Sequence, residues 1–397
     1  MKRTAWVFVA VGILMVLGEV AGALEGVKPY QIINRLRLEY DDNIYQEETD
    51  KNDSVKIIEE IEIMLNYRLE QTFMSLRYRP SFVWWSDREP DDTDLNHEFD
   101  LVLNHVFTPR LALSAIDTFR RGEQPELTDR DVVVREKDDF IYNTANGTLS
   151  YMFRPQTRLD VAGRYILMRY DDSTVSDTDD FDLLVGGLTL RHQLVPETAL
   201  LGELRMEDVD YEGPDRGSQT LSAGAGAEHT FSPNLIAILH GGFQEKSYND
   251  DDLGDDSAPY VDAALTFVPS PATRLSLGGG YSLFETDVFP YANQTRARVY
   301  ASLAHDFTAK ISFYLSGSYS DGEYDADDSI EPGQVTDGNE QILLVSARAT
   351  YQLNRSNWLE AGWQYQDFES DLEDSTGATL RQSYDRNRLS LGWKIQF

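Results

Sequence analysis

The chain has 397 residues, no cysteine, and 68 Asp+Glu against 35 Lys+Arg, a formal charge of −33. Such an excess excludes nucleic acid as a partner, because phosphate binding needs a basic face. The missing cysteines exclude disulfides, thiolate metal sites and a lipidated cysteine.

The first segment reads MKRTAWVFVAVGILMVLGEVAGALEG. Lys2 and Arg3 form a positive start, Ala5 to Leu17 an apolar core, and Ala21-Gly22-Ala23 an A-x-A cleavage site. The apolar run is shorter than the roughly 20 residues a spanning helix needs. Residues 1–23 therefore read as a cleaved export signal, with a single unit over 24–397.

The next segment, QIINRLRLEY, alternates. Leu36, Leu38 and Tyr40 fall on one face of a strand, Arg35, Arg37 and Glu39 on the other. The strand after it puts Ile61, Ile63, Leu65, Tyr67 and Leu69 opposite Glu60, Glu62, Asn66 and Arg68. From there a unit of roughly 40 residues recurs. Its centre is a short turn between alternating strands, in LNYRLEQTFMSLRY, LNHVFTPRLALS, LSYMFRPQTRLDVAG, LRHQLVPETALLGEL, AEHTFSPNLIAIL, LTFVPSPATRLSLGG, LAHDFTAKISFYLSG and ATYQLNRSNWLEAGW. Pro109, Pro155, Pro196, Pro233 and Pro269 mark turns, since proline cannot donate to a ladder. The far ends of these hairpins are acidic, as in SDREPDDTD, YDDSTVSDTDD and SYNDDDLGDDS.

Eight turns give sixteen strands, and the flanking segments QIINRLRLEY and YDRNRLSLGWKIQF bring the count to eighteen. Short turns at one end and long acidic loops at the other describe an all-β fold. It is a closed antiparallel transmembrane β-barrel in the outer membrane of a Gram-negative-type bacterium, with periplasmic turns and extracellular loops. Tyr40, Trp84, Tyr170, Tyr211, Tyr248, Tyr281, Tyr324 and Tyr365 near the loops, and Phe107, Phe153, Phe231, Phe267 and Phe307 at the turns, are expected to form two interfacial girdles.

The polar face is where function is expected. Arg35, Arg37, Arg77, Arg79, Arg164, Arg191, Arg205, Arg298, Arg348 and Arg388 recur there with Glu60, Glu62 and Glu203, and with Asp160, Asp262 and Glu360. They are assigned to the lumen. A cross-strand ladder of opposite charges is the plainer role; a charged lining that guides a polar polymer is the sharper one. The loop at 120–139, long and unusually basic, is the best candidate for folding inward, although a solvated outer loop is the plainer and preferred reading. His105, His192, His229 and His305 repeat two residues before a turn, in phase with the apolar face. Four copies suit an interfacial role and not an active site. No enzyme activity and no cofactor are expected. The acidic runs lack EF-hand spacing, so no defined metal site is expected; a solvated charged face is the plainer reading, and diffuse bridging of divalent cations to lipopolysaccharide the other.

The chain ends LSLGWKIQF. Trp393, Ile395 and Phe397 belong to the apolar face of the last strand and resemble the signal that outer-membrane barrels present to the insertion machinery. With LRLEYDDNIYQ (Leu36 to Gln46), the eighteen-strand plan and the terminal Phe397, the chain resembles a β-barrel porin family. Its members include outer-membrane porins of exopolysaccharide secretion systems. That resemblance implies a passive conduit for polysaccharide or other hydrophilic solutes, working with periplasmic export proteins. An adhesive or structural barrel, with loops that bind a partner or divalent cations, is the alternative.

Overall fold

The computed structural model describes residues 28–397 except 90–91, 123–126, 129–132, 135–138, 213–216, 250–253, 287, 289–290, 327–335 and 375. The export signal expected at 1–23 lies outside the described residues, as does most of the loop at 120–139.

Eighteen strands hydrogen-bond into one sheet that closes on itself. In chain order these are β1 (Tyr30–Asp41), β2 (Ser54–Arg68), β3 (Thr72–Trp85), β4 (Thr93–Thr108), β5 (Leu111–Gly122), β8 (Phe140–Arg154), β9 (Thr157–Tyr170), β10 (Phe181–Val195) and β11 (Thr198–Tyr211). They continue with β12 (Ser218–Ser232), β13 (Leu235–Tyr248), β14 (Asp256–Ser270), β15 (Thr273–Glu285), β16 (Tyr291–Thr308), β17 (Ile311–Ala326), β18 (Gly338–Asn354), β19 (Asn357–Ser370) and β20 (Tyr384–Gln396). Two-residue strands β6 (Leu127–Thr128) and β7 (Val133–Val134) pair with each other outside the barrel sheet, and a helix, α1 (Ser173–Asp179), follows β9.

Each barrel strand is antiparallel to the barrel strands before and after it in the chain, and the pair that closes the ring is antiparallel too. There β1 meets β20 from Ile33 opposite Gln396 to Asp41 opposite Arg388. The Phe397 amide adds a bond to the Ile32 carbonyl at 2.9 Å. Closure leaves no free edge, which is what a sheet needs where lipid offers no hydrogen bonds.

The alternation read from the sequence is a two-faced wall. Leu36, Leu38, Ile57, Ile61, Leu65, Leu391 and Trp393 are exposed on the outside. A continuous apolar surface of that kind aggregates in water; in a bilayer it is solvated. The strands run 12 to 18 residues, more than the roughly 9–11 that cross the hydrocarbon, so they project beyond it. At one end the strands are joined by turns such as 109–110, 155–156, 196–197, 233–234, 309–310 and 355–356, and at the other by connections such as 42–53 and 371–383. The turn expected at Pro269 falls two residues later, at 271–272, because a register irregularity between Phe267 and Ser270 absorbs the proline inside β14.

The expected loop-end girdle is only partly on the outside. Tyr40, Trp84 and Tyr281 are exposed there. Tyr170 and Tyr324 are buried, while Tyr211 and Tyr248 spend their hydroxyls on Thr286 and Asp256. These four share the parity of inward residues on their own strands, so the alternation overrides their nearness to the loops. They pack in clusters at the loop end: Tyr170 with Phe140, Ile166, Met168 and Phe181, and Tyr324 with Val288, Tyr291 and Leu372.

Candidate functional site: the inner wall of the barrel

The inner wall is built from every second residue, so its chemistry follows strand register. One sector, β19 through β5, is a chain of ion pairs. Arg35 on β1 donates to Glu60 on β2 at 2.9 Å and to Glu360 on β19 at 3.0 Å. Arg37 lies 3.6 Å from Glu39 and 4.0 Å from Glu60. Arg77 on β3 reaches Glu62 at 3.8 Å, Glu98 at 2.7 Å and also Asp100. Arg79 pairs with Glu98, and Arg120 approaches the same carboxylate at 3.9 Å. Glu98 thus gathers three guanidinium groups. It was not among the residues singled out from sequence, yet it follows from register, because it stands directly opposite Arg79.

The opposite sector is open. Strands β8 through β18 line a cavity of about 1060 Å³. Arg164, Glu203, Arg205 and Arg298 line it, with Asp262 and His240. Here the wall carries a ledge. The Tyr260 hydroxyl donates to Glu203 Oε1 at 2.6 Å, and His240 Nδ1 lies 3.3 Å from Glu203 Oε2. Tyr260 starts on β14 and ends on β11, crossing β13 and β12. It can lie flat because Gly224 and Gly242 are beneath it: a Cβ at Gly224 would sit 2.1 Å from its hydroxyl, and one at Gly242 2.7 Å from its ring.

Within the open sector, toward the turns, Arg191 on β10 pairs with Glu228 on β12 at 3.0 Å. Arg348 lines a smaller cavity of about 310 Å³ toward the turn end, shared with Tyr314 and His305. Arg388 stands opposite Asp41 at the closing pair. Trp393 and Phe397 are exposed on the outer face, with the Trp393 indole donating to Asn357 at 3.2 Å.

The four repeated histidines make one contact in common. His105, His192, His229 and His305 each bond through Nδ1 to a threonine of the adjacent strand (Thr72, Thr157, Thr198 and Thr273) at 2.7 to 3.0 Å. Three of them, His105, His229 and His305, also meet the phenylalanine two residues on edge-to-face.

Two features have no counterpart in the sequence reading. The first is a buried clasp across the closing seam. Asp41 on β1 accepts two bonds from Arg386 on β20, at 2.8 and 2.6 Å, and lies 2.8 Å from Lys56 on β2. The parity that places Arg35 and Arg37 inward places Asp41 there too. The second is at the loop end, where the end of β15 and the start of β16 lie over the inner wall. Leu283, Thr286, Val288, Tyr291 and Asn293 are all buried.

A closed eighteen-stranded sheet, apolar outside and charged inside around open space, defines a porin-type β-barrel channel of the Gram-negative outer membrane. Such a barrel transports and does not catalyse. A family model described as "Putative beta-barrel porin 2" matches residues 34–397, and the chain belongs to that family. Solved structures it is similar to include OccAB3 of Acinetobacter baumannii, at 14% identity and TM-score 0.49, covering 94% of this chain and 100% of that one. Pseudomonas aeruginosa OccK1 (OpdK) is similar at 11% identity and TM-score 0.49, over 93% of this chain and 99% of that one. OccK2 (OpdF) of the same organism, solved with glucuronate, is similar at 12% identity and TM-score 0.48, over 93% and 98%. No curated protein sequence matches the chain.

Proposed function

We propose that the barrel is a passive conduit for hydrophilic solutes, with saccharide polymers as the cargo its wall suits best. The observation that carries this reading is the large cavity at mid-wall, where charged side chains and tyrosine rings alternate. Sugar rings present an apolar face and a rim of hydroxyls. Tyrosine offers the matching apolar surface with a polar tip, and planar guanidinium and carboxylate groups can each take two hydroxyls at once. Tyr260, Tyr300 and Tyr314 supply the first kind of group, Arg205, Arg298 and Glu203 the second.

In this reading Arg35, Arg37, Glu60, Glu62, Arg77, Arg79, Arg191, Arg348 and Arg388 line the same passage above and below the cavity. The paired ones stiffen the wall. The turns face the periplasm, where export proteins would hand over the polymer, and the acidic loops face outward among lipopolysaccharide. Residues 1–23 direct export and are removed. Trp393, Ile395 and Phe397 address the last strand to the insertion machinery.

Liposome swelling with the refolded mature chain tests the proposal. Uptake of neutral and acidic oligosaccharides, with rates that fall as Tyr300→Ala and Tyr314→Ala are introduced, is the expected result. Swelling with small salts alone, unaffected by either substitution, would contradict the saccharide reading.

A further inference from the structure

The β14–β15 seam is interrupted at the loop end. Its ladder begins at Val261 opposite Tyr281. Strand β14 continues to Asp256 paired with β13, and β15 continues to Glu285 paired with β16. Both strands run on, but not with each other. From Ser282 the end of β15 bends into the lumen and lays its former outer face on the inner wall of β11, β12 and β13.

Side chains hold it there. The Tyr211 hydroxyl donates to the Thr286 carbonyl at 2.9 Å, and Lys246 lies 2.8 Å from Glu285 and donates to the Ala292 carbonyl at 3.3 Å. Gln244 Oε1 accepts from the Ser282 hydroxyl at 2.7 Å and from the Leu283 amide at 3.0 Å, and Ser218 donates to Glu285. Residues of the wall that would otherwise be wet, Ser218, Ser222, Gln244 and Lys246, are buried as a consequence.

Two sequence features fit a movable arm. Leu277 is followed by Gly278, Gly279 and Gly280, immediately before the point of departure. Glycine imposes the least restriction on a backbone that must bend. On the facing edge stands Pro259, which has no amide hydrogen to leave unpaired when β15 departs. A Cβ at Gly279 would lie 2.7 Å from the Arg298 carbonyl, so β15 and β16 are pressed together there; β16 is in turn laddered to β17 up to Tyr291 opposite Ala326, so the end of β17 belongs to whatever travels with the arm.

We propose that this arm, Ser282–Glu285 with its β16 partner residues, is a gate with two positions. In the infolded one it covers the inner wall above the cavity. In the other the seam zips on in the register already set by Val261 opposite Tyr281, which brings Ser282, Leu283, Phe284 and Glu285 opposite Tyr260, Pro259, Ala258 and Ser257. The exchange trades side-chain contacts for ladder bonds at Ser257 and at the Pro259 carbonyl, proline itself donating none, so neither position is without compensation. Packed elements with two discrete arrangements are how barriers of this kind switch. The inference rests on the reading of the barrel as a conduit and adds how it is closed.

The chain has no cysteine, so a pair can be introduced cleanly. In the double variant Ser257→Cys/Glu285→Cys, oxidation of the folded barrel should join the two residues, and single-channel recording should show a stepwise rise in unit conductance that a reductant reverses. In Ser218→Cys/Glu285→Cys, a short bis-thiosulfonate bridge should hold the low level and abolish transitions. Failure of the first disulfide to form in the folded barrel overturns the gate, and so does its formation with no change in current. A barrel that conducts at one level in every state overturns the gate while leaving the conduit standing; one that conducts in no state overturns the conduit.

Discussion

At the scale of single residues, the ledge over the glycines makes a sharp contrast available. Gly242 and Gly186 are both strand glycines, but a side chain at Gly242 collides with Tyr260 and a backbone carbonyl, whereas Gly186 has nothing within 4 Å. Gly242→Val should therefore cost about 1–3 kcal/mol through forced rearrangement. Gly186→Ala should stay within about 0.5 kcal/mol. Reversible urea unfolding in lipid vesicles measures both. Glu98 is a second case. Its three arginine neighbours, Arg77, Arg79 and Arg120, are part-exposed, and pairs of that kind contribute on the order of 1 kcal/mol or less. Glu98→Gln should leave stability nearly unchanged and shift the reversal potential toward anion preference.

Asp180 carries a pH dependence. It lies in the connection between β9 and β10, where burial pushes its carboxyl up from 3.8 to about 6, against the favourable amide of Tyr170 and the charge of Arg169. A folded-state value above the unfolded one means the proton favours the folded loop. The stabilisation is complete below about pH 4 and is lost as pH rises through about 6. The protection factor of the Tyr170 amide, which donates to Asp180 at 2.7 Å, should fall between those values in the native chain once the intrinsic pH dependence of exchange is divided out. Asp180→Asn should remove the dependence.

At the scale of elements, the closing seam is the place where sequence-distant strands must find each other. The ladder from Ile33–Gln396 to Asp41–Arg388 supplies nine paired positions, and the Asp41–Arg386–Lys56 clasp finishes it. Arg386 and Asp41 are almost wholly buried, so removing one partner leaves an uncompensated charge, a loss of about 3–5 kcal/mol. Arg386→Met should lower the temperature at which the folded band disappears in a heated gel-shift assay. Asp41→Asn/Arg386→Met together should recover much of the loss.

Much of this was legible in the chain. Alternation gave the two faces, the recurring turn motif gave the strand count, and the cross-strand partners of Arg35, Arg77 and Glu203 lie on residues of the parity the alternation assigns to one face. What escaped has a common cause. Tyr170, Tyr211, Tyr248 and Tyr324 sit near loops, where nearness to the interface and strand parity point to opposite faces. Extending the alternation from Arg164, Glu203, His240 and Ser316 would have turned each of them inward. The infolded arm escaped for a different reason. Nothing local in YSLFE distinguishes a strand paired to its neighbour from one paired elsewhere; only the glycine run before it and Pro259 opposite carry a signal, and both read equally well as ordinary sheet irregularities.

At the scale of the whole molecule, the outer face requires lipid and the inner face requires water. Barrels of about this strand number enclose an aqueous passage, whereas those of about eight strands fill with side chains. The acidic excess of the chain belongs partly to the loops and partly to this wall, where carboxylates are matched to arginines across strands. The paired sector holds the cross-strand ion pairs and the open sector the cavity; in the proposed function the first stiffens the wall and the second faces what passes.

Single-channel conductance of the refolded mature chain in a planar bilayer, with selectivity from the reversal potential under a salt gradient, tests this account most directly. It predicts discrete ion currents with at least two levels, the higher one reduced by added acidic oligosaccharide. A correctly folded barrel that stays silent at every voltage, with the arm free and with it trapped against β14, would contradict it.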